Sequence, residues 1–175
     1  ETYRKIFGKE YYSFDEGDIH YVVLDDVFYY ARHYVGYIEE SQLEWLENDL
    51  RDIKPGSKVV IFTHIPTWSR EARAGEYGKE EMNKIVGNRR ELYRILEPYD
   101  AHLCTAHEHY AENYELSDSL FEHVHAPLSG LFWQSLWSMD GVPWGYYVYT
   151  IKNGDISWYY KAVGQDKSVQ YTEYA

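Results

Sequence analysis

The chain has 175 residues, of which 45% are hydrophobic, so it is long enough for one domain with a buried core and too apolar for an intrinsically disordered protein. With 17 Lys and Arg against 29 Asp and Glu, its formal net charge is -12, which argues against a nucleic acid or an anionic membrane as partner. No apolar run reaches the ~20 residues that span a bilayer, and the single cysteine, Cys104, cannot form an intramolecular disulfide.

The first part of the chain predicts a hairpin, a loop and a helix. Residues 11–25 are the hairpin, with its turn at Gly17 and an apolar second strand. Residues 26–38 predict an aromatic-rich loop. A helix then begins at Ser41, which we expect to form a capping box with Glu44.

The middle of the chain continues this alternation. Residues 58–62 are β-branched and apolar, which predicts a short buried strand. Residues 80–97 predict a broken helical region, with a second capping box at Asn88 and Glu91. Residues 101–104 predict the next strand. This order of strands and helices is typical of an α/β layered fold.

The last third of the chain predicts strands instead of helices. Asn153-Gly154 is the strongest hairpin signal in the sequence, because both residues accept the backbone angles that a two-residue turn requires. The predicted strands cover residues 111–116, 119–125, 145–151 and 155–163.

Histidines follow two of the predicted α/β strands. His64 comes directly after strand 58–62, and His107 and His109 follow strand 101–104. In open α/β sheets ligands bind beyond the carboxyl ends of the strands, so we expect these three side chains to meet at one edge. Side chains at i and i+2 of an extended segment point the same way. The pattern therefore predicts a site for a transition metal such as zinc, iron or manganese.

Each histidine pattern alone has a simpler interpretation. A His-x-His pair is more often a surface or hydrogen-bonded pair than a metal site, and a Thr-His-x-Pro segment is weaker still. Their combination after neighbouring strands is what favours a metal.

The two histidine segments resemble signature blocks of the calcineurin-like metallophosphoesterases. That family has five blocks in chain order: Asp-x-His, Gly-Asp-x-x-Asp, Gly-Asn-His-Asp/Glu, Gly-His or Thr-His, and Gly-His-x-His. Residues 63–66 (Thr-His-Ile-Pro) resemble the fourth block, and residues 106–109 (Ala-His-Glu-His) resemble the fifth, with Ala106 in place of glycine. Residues 12–25 and 42–50 resemble the strand pair and the helix that precede the fourth block in the family.

The tail resembles the β-rich C-terminal region of one group of bacterial members, through residues 130–133, 140–146 and 158–164. The resemblance implies an α/β (α+β) fold. Residues 1–126 would be the C-terminal half of a four-layer α/β/β/α sandwich, and residues 127–175 an antiparallel β-rich tail.

The resemblance also implies a metal-dependent phosphoester hydrolase with two divalent ions (Mn, Fe or Zn) and a small-molecule phosphoester as substrate. His64 and His107 would bind one ion and His109 the other. The first three blocks are absent, so we expect the catalytic residues and the bridging carboxylate upstream of Glu1, in an N-terminal half that this part of the protein needs as its partner. The chain alone should then be inactive. The resemblance favours a periplasmic or secreted location.

Four residues of the tail are further candidates for the site. His123 and His125 alternate on a predicted strand, where they either orient ligands and substrate or are ordinary hydrogen-bonded strand residues, the interpretation that we favour. Trp133 and Trp144 either wall the active site or fill the seam between the tail and the α/β body, which we also favour.

A second hypothesis is a non-catalytic β-rich binding module. In that case the histidines are degenerate ligands, and the Trp-rich loop recognises a carbohydrate or a lipid headgroup. The residues encoded before Glu1 would distinguish the two hypotheses, since the hydrolase requires the three missing blocks there.

Overall fold

The computed structural model describes residues 2–69, 81–130, 132, 134–138, 140–171 and 173–174. Within these residues seven strands form one mixed sheet, with two separate hairpins and three α-helices, which confirms the predicted α/β class with antiparallel strands in the tail. The strands are β1 (Tyr12–Glu16), β2 (Ile19–Val23), β3 (Val27–Tyr30), β4 (His33–Gly36), β5 (Lys58–Phe62), β6 (Asp100–Thr105), β7 (Glu112–Ser117), β8 (Leu120–Val124), β9 (Gly145–Lys152), β10 (Asp155–Ala162) and β11 (Glu173–Tyr174), and the helices are α1 (Thr2–Phe7), α2 (Glu40–Asp49) and α3 (Arg89–Leu96).

The sheet has the strand order β1-β2-β5-β6-β8-β7-β11. Its centre is parallel, because β2 pairs with β5, β5 with β6 and β6 with β8 in the same direction. The hairpin β1–β2 confirms the predicted turn, with Gly17 in the left-handed region at φ 61°. Since β5 and β6 run parallel, their carboxyl ends meet at one edge, and this edge carries the candidate histidines.

The predicted loop over residues 26–38 is wrong, because this segment forms the antiparallel hairpin β3–β4. Tyr29 pairs with Tyr34, and Tyr30 pairs with His33. The turn contains Ala31 at φ 54°, a left-handed conformation usually taken by glycine or asparagine. The sequence thus lacks the turn residues by which this hairpin would be recognised.

Both predicted capping boxes are wrong, although the helices are present. Helix α2 follows Glu39 as its N-cap, so Ser41 lies inside the helix and caps nothing. A tertiary contact fixes this end instead: the buried Gln42 amide accepts from the Asp25 N–H at 3.0 Å and donates to the Asp25 carbonyl at 2.8 Å.

Helix α3 is preceded by Asn88, as predicted, but the Asn88 amide makes no capping bond. It pairs with the backbone of Ile38, accepting from the N–H at 3.1 Å and donating to the carbonyl at 2.7 Å. The predicted break in the helical region is confirmed, since a 3₁₀ turn at Glu81–Asn83 precedes α3 as a separate element.

Different elements pack against the two faces of the sheet. On one face Val59 and Ile61 pack against α2 and α3 in the main core. On the other face Val60 packs with Tyr149 of β9 and Ile156 of β10. Alternate strand residues thus reach opposite cores, as the period of two requires. The predicted boundary between residues 126 and 127 stays a prediction.

The hairpin β9–β10 turns at Asn153 (φ 54°) and Gly154 (φ 79°), which confirms the Asn-Gly prediction. At its other end Gly145 lies against the fully buried Tyr160, where an added Cβ would come within 2.5 Å of the ring. The Tyr160 hydroxyl donates to the Pro143 carbonyl at 2.6 Å. No helix of the described residues is long and apolar enough to cross a bilayer.

Candidate metal centre

A buried carboxylate fixes the backbone at His64, two residues beyond β5. Asp26, only 1% exposed, accepts from the backbone N–H groups of His64 at 3.0 Å and Ile65 at 2.8 Å. Burial raises the pKa of Asp26 to about 7, although the hydrogen bonds from the two N–H groups lower this pKa in part. The start of this loop is therefore held by a residue from the connection between β2 and β3.

A second buried carboxylate holds the same loop further along. Glu122 on β8 accepts from the Thr67 N–H at 2.7 Å, the Thr67 hydroxyl at 2.6 Å and the Trp68 N–H at 3.0 Å. The Thr105 hydroxyl at the end of β6 adds a fourth bond at 3.1 Å. Glu122 is fully buried, which raises the pKa of its carboxyl to about 7.

Sequence reasoning missed both carboxylates. The available signal was a charge close to or inside an apolar strand: Asp26 lies three residues beyond β2, and Glu122 lies within β8. Charged side chains are almost never fully buried without partners. Such positions therefore indicate a carboxylate with an internal structural role, although the sequence does not identify its partners.

His64 and His107 meet at the edge, as predicted. The Nε2 atom of His64 lies 3.1 Å from Nδ1 of His107, with ring centroids 5.0 Å apart and planes at 75°. Partial burial lowers the pKa of both rings, and the charge of His109 lowers each of them further. Both imidazoles are therefore biased toward the neutral form, which is the form that binds metals.

The extended conformation expected for the His-x-His segment is wrong. His107 has φ 66° and His109 has φ 61°, so both lie in the left-handed region and the i, i+2 rule does not apply. The ring of His109 packs against Phe132, with centroids 4.8 Å apart. A hydrogen bond to the backbone of Asn83 raises the pKa of His107, against the larger effect of burial.

The ring nitrogens of His64 and His107 are close enough to bind one metal ion together. Two imidazole nitrogens bound to a tetrahedral zinc at 2.0–2.1 Å lie about 3.3 Å apart. The 3.1 Å between His64 Nε2 and His107 Nδ1 is close to this value and is also the length of an N–H···N hydrogen bond between the two rings. Within the described ranges, no group of three or more His, Cys, Asp or Glu side chains has the arrangement of a metal site. His109 as a ligand of a second ion thus stays a prediction.

Comparison with known families gives one match. A family described as "C terminal of Calcineurin-like phosphoesterase" matches residues 122–175 of the chain. No curated protein matches the chain. The match begins at Glu122, covers the tail through β8, β9 and β10, and is consistent with a C-terminal part of a member of this family.

The phosphoesterase-matched region contains His123 and His125, whose rings are fully hydrogen-bonded. His123 Nε2 lies 2.9 Å from Nδ1 of His102, and its Nδ1 lies 2.6 Å from Oδ1 of Asn113. Burial lowers the pKa of His123 to about 3. His125 Nδ1 lies 2.7 Å from the Thr105 carbonyl, and its Nε2 lies 2.9 Å from the Tyr149 hydroxyl. A role of either ring at the metal or substrate stays a prediction.

Residues 122–175, which match the family model, also contain the candidate tryptophans. Trp144 is half-buried, and its indole N–H donates to the Ser135 carbonyl at 2.6 Å. Trp137 is 49% exposed. Trp133 lies outside the described residues, so its predicted role stays a prediction.

Proposed function

We propose that this chain is part of a metal-dependent phosphoester hydrolase, and that His64 and His107 bind one divalent ion at the carboxyl edge of the sheet. The observation that carries the proposal is the 3.1 Å approach of His64 Nε2 to His107 Nδ1, in a chain whose tail matches the phosphoesterase family. Members of this family are generally metal-dependent. The substrate that we propose is a small-molecule phosphoester, with His109 as a ligand of a second ion.

When bound, such ions supply Lewis-acid activation of the phosphoryl group and of water at neutral pH. The residues of this chain hold the proposed metal ligand His64 in position. Asp26 fixes the backbone of His64, and Glu122 fixes the two residues that follow Pro66, Thr67 and Trp68. Because both carboxylates act on backbone N–H groups, they hold the loop without competing for the imidazole nitrogens.

We propose further that this chain alone hydrolyses phosphoesters negligibly. Histidines are neutral when they bind a metal, and two neighbouring dications repel each other unless anionic ligands offset their charge. The described residues supply no third ligand to the His64–His107 pair. The second ion should therefore bind weakly, and its carboxylate ligands should come from residues encoded before Glu1.

The test is a calorimetric titration of the chain with Zn²⁺ and with Mn²⁺. His64→Ala and His107→Ala should each weaken binding at least about tenfold, which is the lower range for damage to a metal site. His33→Ala is the matched control, because His33 is exposed, as His64 is, but lies on β4. Equal affinities for all three variants would rule out the histidine pair as a metal centre.

Phosphate release from an aryl phosphate completes the test, under identical metal conditions for this chain and for one extended by the residues encoded before Glu1. Turnover only by the extended protein supports the proposal. Fast, metal-dependent turnover by the 175-residue chain would show that it carries carboxylate ligands that we have not identified.

A binding module remains the second candidate, because the loop between β8 and β9 exposes apolar side chains. Leu128 is 54% exposed, Phe132 65%, Leu136 65% and Trp137 49%. Such a group of side chains is typical of a surface that contacts a partner or ligand. Metal binding that is independent of His64 and His107, with no turnover by a folded extended protein, would favour this function over hydrolysis.

A further inference from the structure

A pocket of about 690 Å³ lies on the side of His107 that faces the hairpin β3–β4. It is outside residues 122–175, so the family match says nothing about it. Its volume is within the range of pockets that bind small organic molecules. The described residues that line it are Phe28, Tyr30, Arg32, His33, Tyr34, Val35, Met82 and Asn83.

The hairpin presents aromatic rings to this pocket. Phe28 and Tyr30 are two residues apart on β3 and therefore share one face of the hairpin. Phe28 is 38% exposed and Tyr30 is 71% exposed, so both rings are accessible to a ligand. Among the described lining residues Arg32 supplies a cation and no residue supplies a carboxylate. These walls favour a flat ring on a molecule that also carries negative charge.

The lining also contains an acceptor without a donor. The Asn83 Oδ1 atom is buried, and none of the described residues donates a hydrogen bond to it. A buried carbonyl oxygen that has lost water and gained no partner is unfavourable. A ligand with an N–H or O–H group at this point would satisfy it.

Two residues of the pocket lining contact the histidine edge. Tyr34 contacts His107 edge-to-face, with centroids 5.8 Å apart and planes at 89°. The backbone of Asn83 is also hydrogen-bonded to the His107 ring. A molecule with its phosphoryl group at His64 and His107 would therefore place its organic group beside Tyr34 and Asn83.

We propose that this pocket binds the organic group of the phosphoester, and that this group is a planar aromatic ring bearing a hydrogen-bond donor. The ring stacks on Phe28 and Tyr30, its donor bonds to Asn83 Oδ1, and Arg32 neutralises part of the substrate's negative charge. The placement of the phosphoryl group rests on the proposed function, whereas the binding of the ring does not. A nucleoside and a simple aryl alcohol both have this chemistry.

The test measures binding to the metal-free 175-residue chain by calorimetry, with ligand pairs that separate these sources. Adenosine 5'-monophosphate is compared with ribose 5-phosphate, and 4-aminophenyl phosphate is compared with phenyl phosphate. Adenosine 5'-monophosphate should bind at least about fivefold tighter than its ring-free partner, the smallest effect expected from stacking on an aromatic side chain. Tighter binding by the aminophenyl compound alone would assign the pocket to aryl alcohols.

Two variants of exposed tyrosines supply the test and its control. Tyr30→Ala should remove the preference for the ring-bearing ligand, whereas Tyr146→Ala should leave it unchanged. Tyr30 is 71% exposed and lines the pocket, whereas Tyr146 is 50% exposed, lies on β9 and is not among the described lining residues. Circular dichroism should show the same folded spectrum for both. Asn83→Ala should abolish the preference for the aminophenyl compound over phenyl phosphate, because only the acceptor is lost.

The outcomes separate this inference from the proposed function. The pocket is overturned if adenosine 5'-monophosphate is not preferred over ribose 5-phosphate and 4-aminophenyl phosphate is not preferred over phenyl phosphate. Equal losses in Tyr30→Ala and Tyr146→Ala would overturn it as well, even if the metal titration implicates His64 and His107. Ring binding that depends on Tyr30, in a chain whose metal affinity is unaffected by His64→Ala, would support the pocket and refute the metal site.

Discussion

Replacing Glu122 by leucine should destabilise the fold by about 2–4 kcal/mol, because the change leaves buried donors without an acceptor. Four donors converge on this carboxylate, from Thr67, Trp68 and Thr105. The two hydroxyls can rotate toward other partners. The two backbone N–H groups cannot, and each orphaned buried donor costs ~1–3 kcal/mol. Two such donors would cost ~2–6 kcal/mol. Because Trp68 is only half-buried, water can partly replace the lost acceptor of its N–H group, so we expect a destabilisation in the lower half of this range.

The measurement is urea unfolding followed by circular dichroism at 222 nm, with Glu115→Leu as the matched control. Glu115 is a glutamate on the neighbouring strand β7 and is exposed, so its replacement should change the free energy of unfolding by less than ~0.5 kcal/mol. Glu122→Gln keeps the size and one carbonyl oxygen, and should fall between Glu122→Leu and the unmodified chain.

A loss below ~1 kcal/mol in Glu122→Leu, or a loss equal to that of Glu115→Leu, would refute the reasoning, because a single orphaned buried donor already accounts for that much. The expected loss is a large fraction of the ~5–15 kcal/mol that stabilises a typical domain. The thermal midpoint should therefore fall in parallel with the urea midpoint.

Three further predictions follow from burial and backbone conformation. The pKa of Glu122 is raised from 4.5 to about 7, so its contribution to stability is fully present below pH 4.5 and lost as the pH rises through 7. The loss should be on the order of 3 kcal/mol between pH 4.5 and pH 8, and smaller in Glu122→Gln when urea unfolding is compared at both pH values. Gly154→Ala should destabilise the chain by about 1 kcal/mol, because Gly154 has φ 79°; Gly87→Ala, where φ is not positive and the nearest atom to an added Cβ is 3.5 Å away, is the control in the same thermal melts. Burial raises the pKa of the Cys104 thiol to about 12, so iodoacetamide at pH 8 should leave it unmodified in the native chain and alkylate it in urea, as measured by mass spectrometry; rapid native alkylation would contradict its burial.

Local chemistry was sufficient to predict some elements. Asn153-Gly154 specifies its hairpin because two adjacent residues set the turn. The apolar runs that became β2, β5 and β6 identified the parallel centre of the sheet, and with it the edge where His64 and His107 lie. The hairpin β3–β4 could not be found in this way, since its turn uses Ala31 at positive φ.

Other features depend on contacts between distant parts of the chain. Ser41 and Glu44 satisfy the capping pattern, yet Gln42 fixes the start of α2 through Asp25 on another element. The left-handed backbone at His107 is likewise invisible to residue spacing, which assumed an extended segment. Spacing therefore predicted which histidines come near the edge, and failed to predict how their side chains are directed.

The two carboxylates also have a consequence for how the molecule folds. The residues that Asp26 joins to the histidine loop are 38 and 39 positions away, and those that Glu122 joins to it are 54 and 55 positions away. Closing loops of such length is entropically unfavourable before the intervening strands have paired. The loop that carries His64 should therefore be ordered late in folding, after β2, β5, β6 and β8 have come together. Any fluctuation that separates one of these four strands would release the loop, so the affinity of the proposed metal site should depend on the pairing of all four.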